Sequence, residues 1–198
     1  MTTLLDAPFL AEEVRVALFG MSPFKAPGVD GFLVGFFQKH WDMVSSTVTA
    51  ACLGCLNDGQ PLNCINQTLI TLIPKVKSVE NMTDFRPISL YNVVYKIISK
   101  ALANRLRLVL DNIISCSQSA FIPGRMITDN AIVGFECMHA LKRKVKGHFG
   151  YMALKLDMFK AYDRVEWSFL EHMMVKFGFS QGWVAMIMRC VSSVSYRF

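Results

Sequence analysis

Leu154-Lys155-Leu156-Asp157-Met158-Phe159-Lys160-Ala161-Tyr162-Asp163-Arg164-Val165 is the stretch on which the reading of this chain turns. From Tyr151 to Asp157 the residues alternate. Met152, Leu154, Leu156 and Met158 point one way; Tyr151, Ala153, Lys155 and Asp157 point the other. That period predicts a half-buried strand. Its last residue is a carboxylate, which the pleat would leave at the rim of a core. A rim carboxylate suits Mg²⁺, a hard cation that takes one or two carboxylates plus substrate phosphates and keeps several waters. It suits equally an acid that caps the following helical turn. The spacing leaves both readings open.

On either side the pattern is mostly helical. A first helix is expected from about Pro8 to Phe19, with Asp6 or Ala7 near its cap. Two Pro and two Gly between Pro23 and Gly31 then predict a shaped loop. Helical pattern resumes from Phe32 to about Leu56 and stops at Asn57-Asp58-Gly59. Thr68 to Pro74 reads as a strand, with Leu69, Thr71 and Ile73 on one face and Ile70 and Leu72 on the other. Phe85 to Leu90 reads as a second, which Pro87 confines to an edge or a strand start.

Asn92 opens a long helix. Its apolar stripe includes Val93, Ile97, Ile98, Ala101, Leu102, Leu106, Val109 and Ile113. Lys96, Lys100, Arg105 and Arg107 are read as lying largely off that stripe. Further helices are expected from Asp129 to Lys146, from Glu166 to Phe177, and from Gln181 to Val194 after a break at Gly178. The class is α+β, with helices well ahead of strands.

Composition narrows the function. The chain has 198 residues, 53% apolar and 18% charged, which excludes disorder as its main state. Lys and Arg number 21 against 15 acids, a net charge of +6 that mildly favours a polyanionic partner. No apolar run approaches the roughly 18 residues of a membrane span. The N-terminus has acids where a secretory signal would be basic and then apolar. The expectation is therefore an intracellular protein, nuclear or cytoplasmic, without membrane contact. Cys52-Leu53-Gly54-Cys55 and Cys64 have metal-like spacing, but no second Cys/His pair completes the four ligands of a structural zinc. Reduced thiols packed as small hydrophobes are the plainer reading.

The quoted stretch resembles the first catalytic motif of reverse transcriptases, in the form found in LINE-type non-LTR retrotransposons, particularly plant ones. Three further blocks carry the same resemblance in the family's order. Phe24-Lys25-Ala26-Pro27-Gly28-Val29-Asp30-Gly31-Phe32 is similar to the block that precedes the fingers. Ile70-Thr71-Leu72-Ile73-Pro74-Lys75, with Asp84-Phe85-Arg86-Pro87-Ile88-Ser89-Leu90-Tyr91-Asn92, is similar to the first fingers block. Ser117 to Asn130, which contains Phe121-Ile122-Pro123-Gly124-Arg125, is similar to the next.

The resemblance implies a fold and roles. Residues 1–60 would be an N-terminal helical extension with the KAPGVDGF loop, 61–148 the fingers, and 149–198 the start of a palm with an incomplete antiparallel sheet. Asp157 matches the catalytic, metal-binding aspartate of two-metal phosphoryl transfer, which implies Mg²⁺. Tyr162 matches the aromatic under the sugar that excludes a 2′-hydroxyl; an ordinary core aromatic is its alternative. Lys75 and Arg86 match the basic pair that grips the incoming dNTP, Arg through its planar fork. Without the resemblance both read as solvated charges. Gly124 and Arg125 would shape a turn near the template strand. The run from Lys142 and Arg143 to Lys146 would contact phosphate, or would simply complement a helix end.

An RNA template and a DNA primer are the implied partners. The family's adjacent aspartate pair, the other carboxylates of its metal site, occurs nowhere in the 198 residues. This chain alone is therefore expected to be inactive, and to need the remainder of a palm and thumb. The alternative is a non-catalytic RNA or primer–template binding module, as maturases are, or a pseudogene product.

Overall fold

The computed structural model describes residues 2–144, 150–158 and 160–197. The chain divides into two compact units, Met1–Arg105 with Trp167–Phe198, and Leu106–Glu166.

The first unit begins with a short turn of helix, α1 (Thr2–Leu5), followed by α2 (Ala11–Phe19). α2 starts later than its pattern suggests because the backbone before it is otherwise engaged. Asn57 bonds Phe9 twice, accepting its N–H at 2.8 Å and donating to its C=O at 3.0 Å. Arg105 takes the carbonyls of Leu5, Ala7 and Pro8. The expected helix over 32–56 is two: α3 (Val34–Lys39) and α4 (Trp41–Leu56), broken at His40. Gly59, at φ 71°, ends the run in a conformation that costs other residues dearly.

β1 (Gln67–Pro74) and β2 (Phe85–Tyr91) pair antiparallel, with Leu72 opposite Pro87. β2 is an edge strand, where a missing N–H is tolerated. α5 (Val93–Ile113) follows, and the division between the units falls within it. α7 (Trp167–Lys176) and α8 (Gln181–Ser192) return to the first unit, broken at Gly178 as expected. β3 (Ser195–Arg197) was not foreseen. It pairs parallel to β1, so the sheet order is β2-β1-β3 and the sheet is mixed. Buried Asn66 fixes that return. Its amide donates to Cys190 O at 3.0 Å and Ser193 Oγ at 2.9 Å, and its carbonyl accepts from Ser195 N.

The core of the first unit includes Val14, Leu18, Val34, Cys52, Val93, Ile97, Ile98 and Trp183. Two cations lie in it against expectation: Lys96 is 7% exposed and Arg105 is 6% exposed. Arg105 is explained by its partners. Nε and Nη2 form a bidentate pair with Glu13, both at 2.6 Å. The other donors go to the carbonyls of Leu5, Ala7 and Pro8, and the guanidinium lies 3.5 Å from the Phe9 ring centre. All five N–H groups are thereby used, the condition for burying such a charge. Cys52 and Cys55 are buried, and burial pushes the Cys52 thiol up to about 12.

In the second unit α6 (Ile127–Arg143) forms as expected; residues 145–149, where its pattern ran on to Lys146, lie outside the described residues. The strand expected over Tyr151–Asp157 does not form. Residues 150–158 belong to no helix or strand and pair with none of β1–β3, and Met152, Leu154 and Leu156 are 86%, 74% and 83% exposed. Alternation supplies an apolar face, but a strand exists only through its ladder, and none of β1–β3 pairs with this segment. Asp157 therefore does not end a strand here. Among the described residues no helix is long and apolar enough to cross a membrane.

The Arg105 fork holds the Glu13 carboxyl below its ordinary value of 4.5. A lowered carboxyl contributes stability that is full above the unfolded pKa and is lost as pH falls through the folded one. Arg105→Met should cost about 3 kcal/mol at neutral pH, since it strands a carboxylate. The cost should shrink as pH drops below the ordinary carboxylate value. Urea denaturation at pH 7 and pH 3.5 measures both, and an equal loss at the two values would dismiss the ion pair as the cause.

Candidate functional site

The β1–β2 register brings two of the expected site residues together. Ile73 stands opposite Arg86 and Pro74 opposite Phe85. The ladder continues one step, because Lys75 N donates to Asp84 O at 2.7 Å. Residues two apart share a face, so Lys75 and Arg86 lie on the same face of the hairpin end, as diagonal neighbours about 7–8 Å apart at the backbone. Lys75 Nζ donates to Thr83 O at 2.6 Å, which ties one of its three donors to the loop. The Asp84 carboxylate accepts from the amides of Glu80 and Asn81, at 3.2 and 3.0 Å, and so shapes that loop. Arg86 is exposed, and among the described residues no hydrogen bond or ion pair engages it.

The KAPGVDGF loop packs on the start of α5. Lys96 Nζ donates to Ala26 O at 2.5 Å, and Asp30 N donates to Asn92 Oδ1 at 3.3 Å. A Cβ on Gly28 would lie 2.4 Å from Asn92 Oδ1 and 2.5 Å from Asn92 N. Burial pulls the Lys96 ammonium below its ordinary range, while Asp30 acts against that shift. The loop leaves Phe24 87% exposed at its tip, beside exposed Lys25. Reading the α5 stripe as purely apolar missed this contact. The signal was positional: Lys96 follows Val93 by three residues, on the same face.

The other expected residues belong to the second unit. Gly124 has φ 77°, and Arg125 next to it is a staple. Arg125 Nη1 donates to Ser115 O at 2.5 Å and Gln118 O at 2.7 Å, and Nη2 to Asp111 Oδ1 at 3.0 Å and Ile114 O at 3.2 Å. Its fork is thus turned onto the carbonyls that follow α5, the turn-shaping half of the expectation. Phe121 holds φ 65°, unusual for a bulky side chain, and is 84% exposed. Lys142 and Arg143 are exposed in the last turn of α6, where cations complement the helix dipole.

Tyr162 opens a 3₁₀ turn (Tyr162–Arg164) and is 81% exposed, so it is no core aromatic in this structure. Asp157 is exposed, and among the described residues no hydrogen bond or ion pair holds it. Nor do three His, Cys, Asp or Glu side chains converge anywhere among them as a metal site would require. The residues that are described do not by themselves fit a two-metal centre.

Comparison with known proteins agrees with the motifs. A family model described as reverse transcriptase (RNA-dependent DNA polymerase) matches residues 73–198. The "Transposon TX1 uncharacterized 149 kDa protein" of Xenopus laevis is 34% identical over 167 residues, covering 84% of this chain and 12% of that protein. The "Retrovirus-related Pol polyprotein from type-1 retrotransposable element R2" of Popillia japonica is 25% identical over 185 residues, covering 88% of this chain and 23% of that protein. The chain thus spans less than a quarter of the length of either relative.

The Gly28 contact gives a direct test of the loop clamp. Gly28→Ala should cost about 2 kcal/mol, because backbone as well as side chain must move. Thermal unfolding reads the loss. An unchanged midpoint would mean that the loop is not held against Asn92.

Proposed function

Because the chain belongs to the reverse transcriptase family, we propose that it forms the fingers and the first part of the palm of an RNA-directed DNA polymerase from a LINE-type, non-LTR retrotransposon. In this reading residues 1–60 are a helical extension that carries the KAPGVDGF loop, 61–148 the fingers and 149–198 the start of the palm. The observation that supports it most is the β1–β2 register, which, carried one step on by the Lys75 N–Asp84 O hydrogen bond, brings Lys75 and Arg86 to the same end of the hairpin. Two cations at that spacing match the charge of a triphosphate. Arg86, whose side chain no hydrogen bond or ion pair engages among the described residues, offers a fork for two phosphate oxygens; Lys75 adds a point charge.

The remaining roles follow the motif positions. Tyr162 lies under the sugar of the incoming dNTP. Gly124 and Arg125 shape the turn beside the RNA template, and Lys142 and Arg143 meet backbone phosphate of template or DNA primer, which makes binding salt-dependent. Reverse transcriptases as a family use divalent metal. Asp157 is the residue that would hold Mg²⁺, which when bound neutralises the charge that develops in nucleotidyl transfer. One carboxylate offers two closely spaced dications too little compensating charge. The chain by itself therefore does not extend a primer. Its place of work is inside the cell, nucleus or cytoplasm, where RNA templates are met.

Calorimetric titration with dGTP in Mg²⁺ tests the reading. Arg86→Ala should weaken binding about tenfold or more, as a lost charge-assisted phosphate contact does. Lys75→Ala should weaken it less. If Arg86→Ala binds dGTP as the parent does, the triphosphate assignment fails. Salt-sensitive binding of an RNA–DNA hybrid with no dGTP affinity would support the non-catalytic binding module instead. Primer extension by the chain alone would overturn its inactivity.

A further inference from the structure

Within the first unit, a cavity of about 520 Å³ opens among the Leu5–Phe9 segment, the end of α4 and the start of α8. That volume is in the range of small-molecule sites. Its lining is mainly apolar, with Leu5, Phe9, Leu56 and Met186 in it. None of Lys75, Arg86, Asp157 or Tyr162 contributes.

The polar groups of the lining are nearly all committed. Asn57 is spent on both backbone groups of Phe9. The Ser180 hydroxyl donates to Asp6 and accepts from Trp183 N at 3.2 Å. Arg189 Nη2 donates to Cys55 O at 2.7 Å. Two donors are left over. Trp183 Nε1 and Arg189 Nε are buried, and neither has a partner among the described residues. Trp183 as a whole is 1% exposed. No carboxylate among the described residues pairs with Arg189 either. Buried N–H groups without acceptors are rare and costly, and each calls for one.

We propose that this cavity binds a small ligand with an apolar body and a single carboxylate, which accepts from Trp183 Nε1 and Arg189 Nε. The guanidinium, which no carboxylate among the described residues neutralises, favours an anionic acceptor over a neutral one. Asp6 in the same lining, already held by Ser180, opposes a second negative charge. Nucleotides and other polyanions are thereby disfavoured, and the site is separate in chemistry from the triphosphate grip. Both nitrogens belong to lining residues but are themselves buried, so the lining must yield as the carboxylate enters. Met186, half-buried and unbranched, is the lining side chain best able to do so.

The chain has three tryptophans, Trp41, Trp167 and Trp183. Replacing them with 5-fluorotryptophan gives ¹⁹F signals that report the cavity directly, with Trp183→Phe to assign the third. Titration with 4-phenylbutyrate should shift the Trp183 signal saturably and leave the other two in place. Butylbenzene, which lacks the acceptor, should bind at least roughly tenfold more weakly, as the loss of a charged hydrogen bond implies. Arg189→Gln should erase that preference. Gly182→Leu should block both ligands. Its Cβ would meet nothing within 4 Å, and unchanged Trp41 and Trp167 signals check that the fold is retained. A Trp183 signal that never moves would show a cavity holding water only and overturn the proposal. Equal affinity for the two probes would overturn it as well, by showing an apolar void without acceptor recognition.

Discussion

The buried guanidinium of Arg105 is the contact around which the first unit is organised. It projects from α5 and gathers the chain that precedes α2, by three carbonyls and the Glu13 carboxylate. Glu13 serves twice, because its other duty is to accept the Leu10 N–H at the start of α2. One side chain thus sets where α2 begins and how its first turn is capped. Desolvating an arginine costs several kcal/mol, and only complete satisfaction of its donors offsets that. Burying Phe9 under the guanidinium adds a cation–π contact to the same joint. The geometry has a consequence on the other side of the Leu5–Phe9 segment. With its carbonyls held by Arg105 and Phe9 held by Asn57, the segment forms one wall of the cavity that Trp183 also lines.

The hairpin depends on a second polar joint. Asn66 precedes β1 and ties the end of α8 to it, which starts the parallel pairing of β3. Tyr95 on α5 donates to the same Cys190 carbonyl at 2.9 Å. Burial pushes its phenol well above the usual range, so it remains a donor at any physiological pH. β1 is consequently anchored at one end while its far end carries Lys75. A strand fixed at its base presents the pair Lys75 and Arg86 in one register only, since a slip of one residue would turn them to the opposite face.

Periodicity made β1, β2, α5, α7 and α8 legible to within a residue or two, because each repeats an apolar position at its own period. What the sequence hid was polar and non-local. Arg105 follows Leu102 by three and precedes Val109 by four, a buried spacing, yet charge alone suggested solvent. β3 is three residues long, too short for any period, and is held by its ladder with β1 and by the Ser195 N–H that donates to Asn66 O. The face-sharing of Lys75 and Arg86 was foreseeable from alternation plus an antiparallel register. The staple made by Arg125 was not, since three of its four acceptors are main-chain carbonyls.

The second unit obeys a different balance. Its buried residues among those described are Val109, Ser119 and Ile122, and α6 shows no buried side chain at all. Polar staples such as Arg125 hold its turns, but little apolar area is removed from water to stabilise it. The alternating segment 150–158 is the clearest case, because each of its large apolar side chains is more than half exposed. An unpaired segment with alternating apolar side chains can add to another strand. Only such a ladder would restrain the backbone on which Asp157 stands, and a carboxylate needs a restrained backbone to meet the geometry of a Mg²⁺ site. Among the described residues Asp157 is exposed and carries no hydrogen bond or ion pair, so the packing of the second unit does not supply that restraint.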